Sequence, residues 1–205
     1  IETDQRQMPR SHAEKYELKT IWYWYPLYCL GGISFVAFII LTITGIILGF
    51  FYVPNGAYTY TATGGLTNEA YQSMNRIMYE IPFGYIIRGM HHWGASFMMV
   101  LVALHLLRVF VFGAYKKPRE IQWLVGVGLL FLVGAFMFTG TALKWDQEAV
   151  EGLAHNVEIA QGLGALGIWF LPQFAQDVPL LTRLFVAHVS ILPVIGLTFL
   201  GAHFL

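Results

Sequence analysis

A hydrophobic block at residues 84–113 carries two histidines fourteen residues apart, His91 and His105. Fourteen residues make almost four turns of an α-helix, so the two side chains share a face with an offset of about 40° and lie about 21 Å apart along the axis. A block of this length and hydrophobicity predicts a helix that crosses a membrane, because about 20 apolar residues span the hydrocarbon layer. The helix is expected to present one imidazole near each membrane face.

A second hydrophobic block repeats this pattern with His188 and His203, which are fifteen residues apart. In a regular α-helix this spacing gives about 22 Å and an offset of about 60° in the other direction. Two such helices, facing each other across a bundle core, can hold two flat cofactors. A single histidine in an apolar helix is usually a packed or hydrogen-bonded side chain. Four histidines at nearly equal spacing favour metal ligation. Haem iron is the expected metal, because imidazole is a common axial ligand of haem.

The composition agrees with a membrane protein. The chain is 57% hydrophobic and only 12% charged, far from the balance of soluble domains. Its formal net charge of zero argues against nucleic acid as a partner, and its single cysteine excludes an internal disulfide or a cysteine metal cage. We therefore predict an all-α membrane protein with four transmembrane helices forming a di-haem bundle, at residues 27–52, 84–113, 121–143 and 180–205.

The segments between the spans predict the topology. Residues 66–80 are expected to form a short surface helix, and residues 144–179 two more. Basic residues in the polar arm of about 1–24 and in the loop between the second and third spans lie on one side, which the positive-inside bias assigns to the cytoplasm. His91 and His188 then lie near the outer face, and His105 and His203 near the inner face. Residues 1–205 are expected to form a single haem-binding domain.

Glycines in the other two spans follow the same period. Gly31 and Gly45 in the first span, and Gly126 and Gly140 in the third, are each fourteen residues apart. A macrocycle edge pressed against a helix needs a residue without a side chain, so these positions predict haem clearance. Close packing of helices through small residues is the alternative, and it is common in membranes.

Arg88 and Arg108 each lie three residues outside a histidine of the second span. An arginine in an apolar span needs a partner, and haem propionates would supply one through charge-assisted bonds. The alternative is snorkelling to lipid phosphate. Cys29, at the start of the first span, would by itself indicate only a small packing residue.

Several stretches resemble cytochrome b of quinol-oxidising bc complexes, and in particular the b6 type. These are YCLGGIS, FGYIIRGMHHW, LHLLRVF, GAYKKPRE, TGTALKWDQ and LTRLFVAH, together with TG followed by FYVP, and they run from about residue 25 to the end. The resemblance implies that His91 and His188 ligate an outer haem b, and that His105 and His203 ligate an inner one. It also implies that Cys29 carries a third haem, a haem c, through one thioether bond.

The resemblance further implies a function and a set of partners. The chain would be a subunit of an oxidoreductase that passes electrons from quinol at the outer side to quinone at the inner side, and so couples electron transfer to proton translocation. The acceptor would be a cytochrome c or a plastocyanin-like protein. The partners would be a Rieske iron–sulfur protein, a c-type cytochrome, a subunit-IV-like chain with further helices and a second copy of the complex. The reading favours the bacterial plasma membrane over the thylakoid.

Three departures concern the outer quinol pocket. Lys144 stands where this family usually has proline, His92 replaces a basic residue that is commonly arginine, and the segment after Trp145 diverges. The Pro-Glu-Trp-Tyr motif that serves quinol oxidation is absent. This chain is therefore not expected to complete that site alone.

Two other functions are compatible with part of the pattern. A di-haem membrane anchor that links a dehydrogenase to the quinone pool explains the histidines and the helix count, but not YCLGG or the paired glycines. A scaffold or transporter would use the histidines structurally and would show no haem bands in its optical spectrum.

Overall fold

A computed structural model describes residues 27–61 and 64–205. This part of the chain contains four helices that are long and apolar enough to cross a membrane, which confirms the predicted all-α membrane fold. The predicted polar arm lies outside the described residues. The four membrane helices are α1 (Leu30–Gly49), α3 (Gly84–Val111), α4 (Glu120–Ala142) and α6 (Leu180–Phe204).

The membrane helices are apolar around most of their circumference. Large hydrophobic side chains such as Ile46, Phe97 and Phe131 are more than half exposed. A helix without a polar face is stable when its outer surface is covered by lipid rather than water. These residues therefore form the surface that the bilayer covers.

The four helices form two tight pairs. α1 packs along α3, and α4 packs along α6, whereas contacts between the pairs are sparse. Where the pairs do meet, aromatic rings cross between them: Phe38 of α1 lies 6.4 Å from Phe136 of α4, and Phe35 lies 5.3 Å from Phe204. The sparse contact between the pairs leaves space inside the bundle.

Surface elements connect the membrane helices. A two-stranded antiparallel sheet of β1 (Tyr58–Tyr60) and β2 (Leu66–Asn68) leads into α2 (Glu69–Tyr79). The Asn68 side chain caps α2 by accepting a hydrogen bond from the backbone N–H of Tyr71 at 2.7 Å. The expected surface helix is present. The small sheet was not predicted, because each strand has only three residues, too few for a hydrophobic alternation to be recognised.

The connection between α4 and α6 differs from the prediction of two short helices. It contains one longer helix, α5 (Gln147–Gly162), followed by 3-10 turns at Gly164–Phe170 and Pro172–Phe174. Asp146 caps α5 by accepting from the N–H of Ala149 at 3.0 Å. The α-helix ends where Gly164 takes a positive φ of 58°, a conformation that glycine adopts without steric cost.

Gly84 provides a test of the junction between α2 and α3. A Cβ added there would overlap the carbonyl oxygen of Ile77, a fully buried residue of α2. We expect Gly84→Ala to lower the free energy of unfolding by about 1–3 kcal/mol, the usual cost of overpacking. Thermal melting of the purified protein in detergent measures this effect. Gly89→Ala is the matched control, because its Cβ would meet open space on the same helix. Equal melting temperatures for the two variants would contradict the expected overlap between a side chain at residue 84 and Ile77.

Candidate cofactor sites between the helix pairs

The four histidines of the membrane helices lie in two facing pairs. The ring of His91 on α3 lies opposite that of His188 on α6, with the ring centres 6.2 Å apart and the planes at 69°. The ring of His105 lies opposite that of His203, with values of 6.4 Å and 77°. The structure thus brings together the residues that the resemblance pairs.

These separations fit one metal ion between each pair of rings. A metal–imidazole bond is about 2 Å long, so two imidazoles on opposite sides of one metal place their ring centres about 6 Å apart. Within residues 27–61 and 64–205, no group of three or more His, Cys, Asp or Glu side chains converges on a metal position. Two facing imidazoles suit the two axial positions of a haem iron, whose other ligands come from the porphyrin.

Each of these rings lies against a glycine. A Cβ added at the glycine would come within 3.0–3.1 Å of the ring Cε1 atom, closer than almost all real Cβ contacts. The pairs are Gly45 with His91, Gly140 with His188, Gly31 with His105 and Gly126 with His203. The glycines were predicted to clear a cofactor edge, and the contact seen in this structure is with the imidazole rings. Clearance for the cofactor itself stays a prediction.

A local change of helix type corrects the fifteen-residue spacing on α6. Residues Ala187–Ile191 form a π-helical turn between α-helical segments Leu180–Val186 and Leu192–Phe204. A π turn takes one more residue than an α turn, because its hydrogen bonds join residues five apart. The expected offset of 60° therefore does not arise. His188 and His203 behave as if fourteen residues apart, which matches the spacing on α3.

The outer pair is held by two threonines that the sequence reading did not identify. The Nδ1 atom of His91 lies 3.0 Å from Thr44 Oγ1, and that of His188 lies 2.8 Å from Thr139 Oγ1. Each threonine comes directly before one of the glycines, so the repeated Thr-Gly dipeptide was an available signal.

The inner pair is held differently. His203 Nδ1 lies 3.0 Å from the backbone carbonyl oxygen of Gln122. A carbonyl only accepts, so Nδ1 carries the proton and the Nε2 lone pair is free for a metal. For His105, the described residues include no hydrogen-bond partner of the ring.

The inner pair borders a cavity of about 400 Å³. Arg108 lies in its wall with its guanidinium 4.1 Å above the ring of Tyr28, and its buried Nε has no hydrogen-bond partner. Arg119 also lines the cavity and was not predicted, because it belongs to a loop whose basic residues look like an ordinary membrane flank. No carboxylate in residues 27–61 and 64–205 pairs with either arginine. The cavity therefore offers two guanidinium groups to an acidic cofactor.

The other two predicted positions lie outside this cavity wall. Arg88 donates a hydrogen bond to the Met78 sulfur at 3.5 Å, so its guanidinium contacts α2. Cys29 is a half-buried free thiol at the start of α1. It follows Tyr28, whose ring lies beneath the Arg108 guanidinium. The roles of Arg88 and Cys29 stay predictions.

The ends of α1 and α4 meet near the outer pair. Tyr52 donates to the carbonyl oxygen of Leu143 at 2.7 Å, and burial raises the pKa of its hydroxyl, so Tyr52 remains a neutral donor. The ring of Trp145 packs against Gly56, where an added Cβ would lie 2.8 Å away. Trp145 has a positive φ of 52°, and its buried Nε1 has no hydrogen-bond partner. The indole N–H of Trp145 is therefore a free hydrogen-bond donor where the ends of α1 and α4 meet.

Two cationic side chains, Lys144 and Arg183, hold the segment that connects α4 to α6. Lys144, which departs from the family's proline, pairs with Glu148 at 2.6 Å and Asp146 at 3.3 Å. Burial lowers the pKa of Lys144, but the hydrogen bond to Glu148 and the charge of Asp146 outweigh it, so the pKa is raised. The buried guanidinium of Arg183 donates to the carbonyl oxygens of Trp169 and Leu171, which ties the 3-10 segment to α6.

Comparisons with known proteins agree with this arrangement. The family profile described as Cytochrome b/b6/petB matches residues 13–205. The chain is 38% identical over 184 residues to the menaquinol:cytochrome c reductase cytochrome b subunit of Geobacillus thermodenitrificans, covering 87% of this chain and 77% of that protein. It is 37% identical over 182 residues to cytochrome b6 of Heliomicrobium gestii, covering 87% and 80%.

Among solved structures, a chain of the Hyperthermophilic respiratory Complex III superposes with a TM-score of 0.72 at 29% identity. The match covers 87% of this chain and 46% of the solved chain, so the present chain spans about half the length of that structure. The likeness covers most of the chain, rather than one motif.

The glycine contacts predict a selective loss of cofactor. We expect Gly140→Ala to lower the haem content by about one per chain, because the new methyl group displaces the His188 ring that it meets at 3.0 Å. Pyridine haemochrome spectra of the purified protein give the content. Gly134→Ala, on the same helix with open space at its Cβ, should retain full haem. Normal content in both variants would contradict a role for the glycine.

The π turn makes a prediction about deletions. Removing Ser190 from the π turn should leave a regular α-helix with both α6 histidines still directed into the bundle, so two haems should bind. Removing Thr198 from the regular segment turns His203 by about 100° relative to His188 and should abolish the inner site only. Haem content and redox titration report both results. If the two deletions behave alike, the π turn does not absorb the extra residue.

Proposed function

Because the chain belongs to the cytochrome b/b6 family, we propose that it is the electron-transfer core subunit of a membrane quinol-oxidising complex. The proposal rests on one observation: two pairs of imidazole rings face each other inside a four-helix membrane bundle. A packing role for the histidines would require neither the equal separations nor a glycine against every ring. The bundle acts as one haem-binding domain, and the protein is integral to the membrane.

His91 and His188 would hold an outer haem b, and His105 and His203 an inner one. Haem supplies reversible one-electron chemistry at iron when it is bound. For His91, His188 and His203, a hydrogen bond at Nδ1 leaves the Nε2 lone pair available for iron. The two levels are about 21 Å apart along α3, so they provide two redox positions in series across the bilayer.

Three arginines are proposed as partners of haem propionates. Arg108 and Arg119 line the inner cavity without a described carboxylate. The buried Nε of Arg108 has no hydrogen-bond partner, and an unpaired guanidinium is costly in a membrane, so a propionate would stabilise it. Arg88 would serve the outer site in the same way. Because Arg88 contacts Met78 in this structure, its guanidinium would have to turn away from α2.

Cys29 is proposed to carry a third haem, a haem c, through one thioether bond. The sulfur would add to a vinyl carbon of the haem, and the thiol proton would end on the neighbouring vinyl carbon, so no oxidant is needed. The free state and partial exposure of the thiol support this proposal.

The complete reaction would remove electrons from quinol near the outer ends of α4 and α5 and deliver them to quinone at the inner side. Protons would be released outside and taken up inside. We propose a Rieske iron–sulfur protein, a c-type cytochrome, a subunit-IV-like chain and a second copy of the complex as partners, in a bacterial plasma membrane. The related menaquinol:cytochrome c reductase subunit supports this assembly.

The haem complement is the decisive test. Pyridine haemochrome spectra before and after acidified-acetone extraction should show two b-type haems leaving and one c-type haem remaining on the chain. Cys29→Ala should remove the residual band and leave the extractable haems unchanged. Complete extraction from the wild-type protein would contradict attachment at Cys29, and a protein without haem would contradict the whole proposal.

Purification from the native membrane distinguishes the proposed complex from its alternative. Recovery with a Rieske protein, together with quinol-dependent reduction of cytochrome c, is the expected result. Recovery with a soluble dehydrogenase and no Rieske protein would instead identify a di-haem membrane anchor.

A further inference from the structure

Thr44 and Thr139 occupy equivalent positions on α1 and α4. Each precedes a glycine that faces an outer histidine, and each hydroxyl contacts the Nδ1 of that histidine. We propose that these two hydroxyls are positioning residues that strengthen both axial ligands of the outer haem and thereby lower its reduction potential. The inference rests on the proposed haem binding by His91 and His188, and it assigns a specific role to two residues outside the ligand set.

The direction of the hydrogen bonds follows from the helix geometry on α1. Thr44 Oγ1 donates its one hydrogen to the backbone carbonyl of Ile40, with an oxygen–oxygen distance of 2.8 Å, and that of Leu41 lies 3.1 Å away. The hydroxyl therefore has only lone pairs left for His91, so the ring must donate its Nδ1–H. This tautomer leaves Nε2 unprotonated, so its lone pair would be available to the proposed haem iron.

The same geometry recurs on α4. Thr139 Oγ1 lies 2.7 Å from the carbonyl oxygen of Ala135 and 3.2 Å from that of Phe136, so its hydrogen is also committed to the backbone. His188 Nδ1–H then donates to Thr139 Oγ1 across 2.8 Å. Both threonines are buried, with 5% and 6% of their surface exposed, so a water molecule has little access as a replacement acceptor.

An acceptor at Nδ1 acts on the metal through the ring. It fixes the ring orientation and raises the basicity of the ligating nitrogen. A more basic axial ligand stabilises ferric over ferrous iron and lowers the potential for one-electron reduction. At the inner site the residues before the glycines are Leu30 and Val125, which have no hydroxyl. The threonine effect is therefore confined to the outer pair.

The test compares Thr44→Val and Thr139→Val with wild type in the assembled complex. Valine keeps the shape of the side chain and removes the acceptor. Thr42→Val is the matched control, because the Thr42 hydroxyl donates to the backbone carbonyl of Phe38 at 2.9 Å on the same helix and, among the described residues, bonds no histidine. Thr44→Ser and Thr139→Ser retain a hydroxyl and should restore the wild-type value. The readout is a redox titration that resolves the two b haems, with haem content measured in parallel.

We expect each valine variant to raise the midpoint potential of the outer haem, the double variant to raise it further, and the inner haem to stay unchanged. Selective loss of the outer haem in the valine variants, with retention in the serine variants, also supports a positioning role. Unchanged potentials at full haem content overturn the inference, as does an equal shift in Thr42→Val. A wild-type protein without haem would instead refute the proposed function, so the two failures are distinguishable.

Discussion

The opposition of two imidazole rings about 6 Å apart, repeated at two depths, is the constraint on which the rest of the bundle depends. A ring can be held at that distance from its partner only if it is supported from behind. The structure supports each ring with a glycine at its back, and three of the four through a hydrogen bond at Nδ1. The backbone of α1 and α4 thus serves as a wall for ligands that α3 and α6 carry.

α3 and α6 provide the ligands and α1 and α4 support them. This arrangement explains why the two helix pairs make few contacts with each other. Each pair is packed tightly, whereas the cavity between the pairs is lined mostly by apolar side chains, with the inner histidines, glycines and two arginines in its wall. Helices in lipid gain little from burying apolar side chains against each other, because lipid tails are equally apolar. A bound cofactor can therefore occupy the middle of the bundle at small cost in packing. The buried Nε of Arg108 has no hydrogen-bond partner in this structure, and an acidic cofactor would supply a counter-charge there.

The site was only partly visible in the sequence. The histidines and glycines could be found because they recur at nearly one interval on single helices. Such a spacing can be read from the sequence without knowledge of the fold. Thr44 and Arg119 could not be found in that way. Thr44 acts on a histidine 47 residues away, and Gln122 reaches His203 across 81 residues. The unequal spacing on α6 needed a π turn, which the regular helical period does not reveal.

The sequence by itself determined four apolar spans and the positions of potential ligands along each helix axis, because length, hydrophobicity and helical period are local properties. It also carried the resemblance by which the family was recognised. The tertiary structure decided which ring faces which, what lies behind each ring and which tautomer three of the four rings adopt. Those properties arise from contacts between residues far apart in the chain, and they exist only once the two helix pairs have docked.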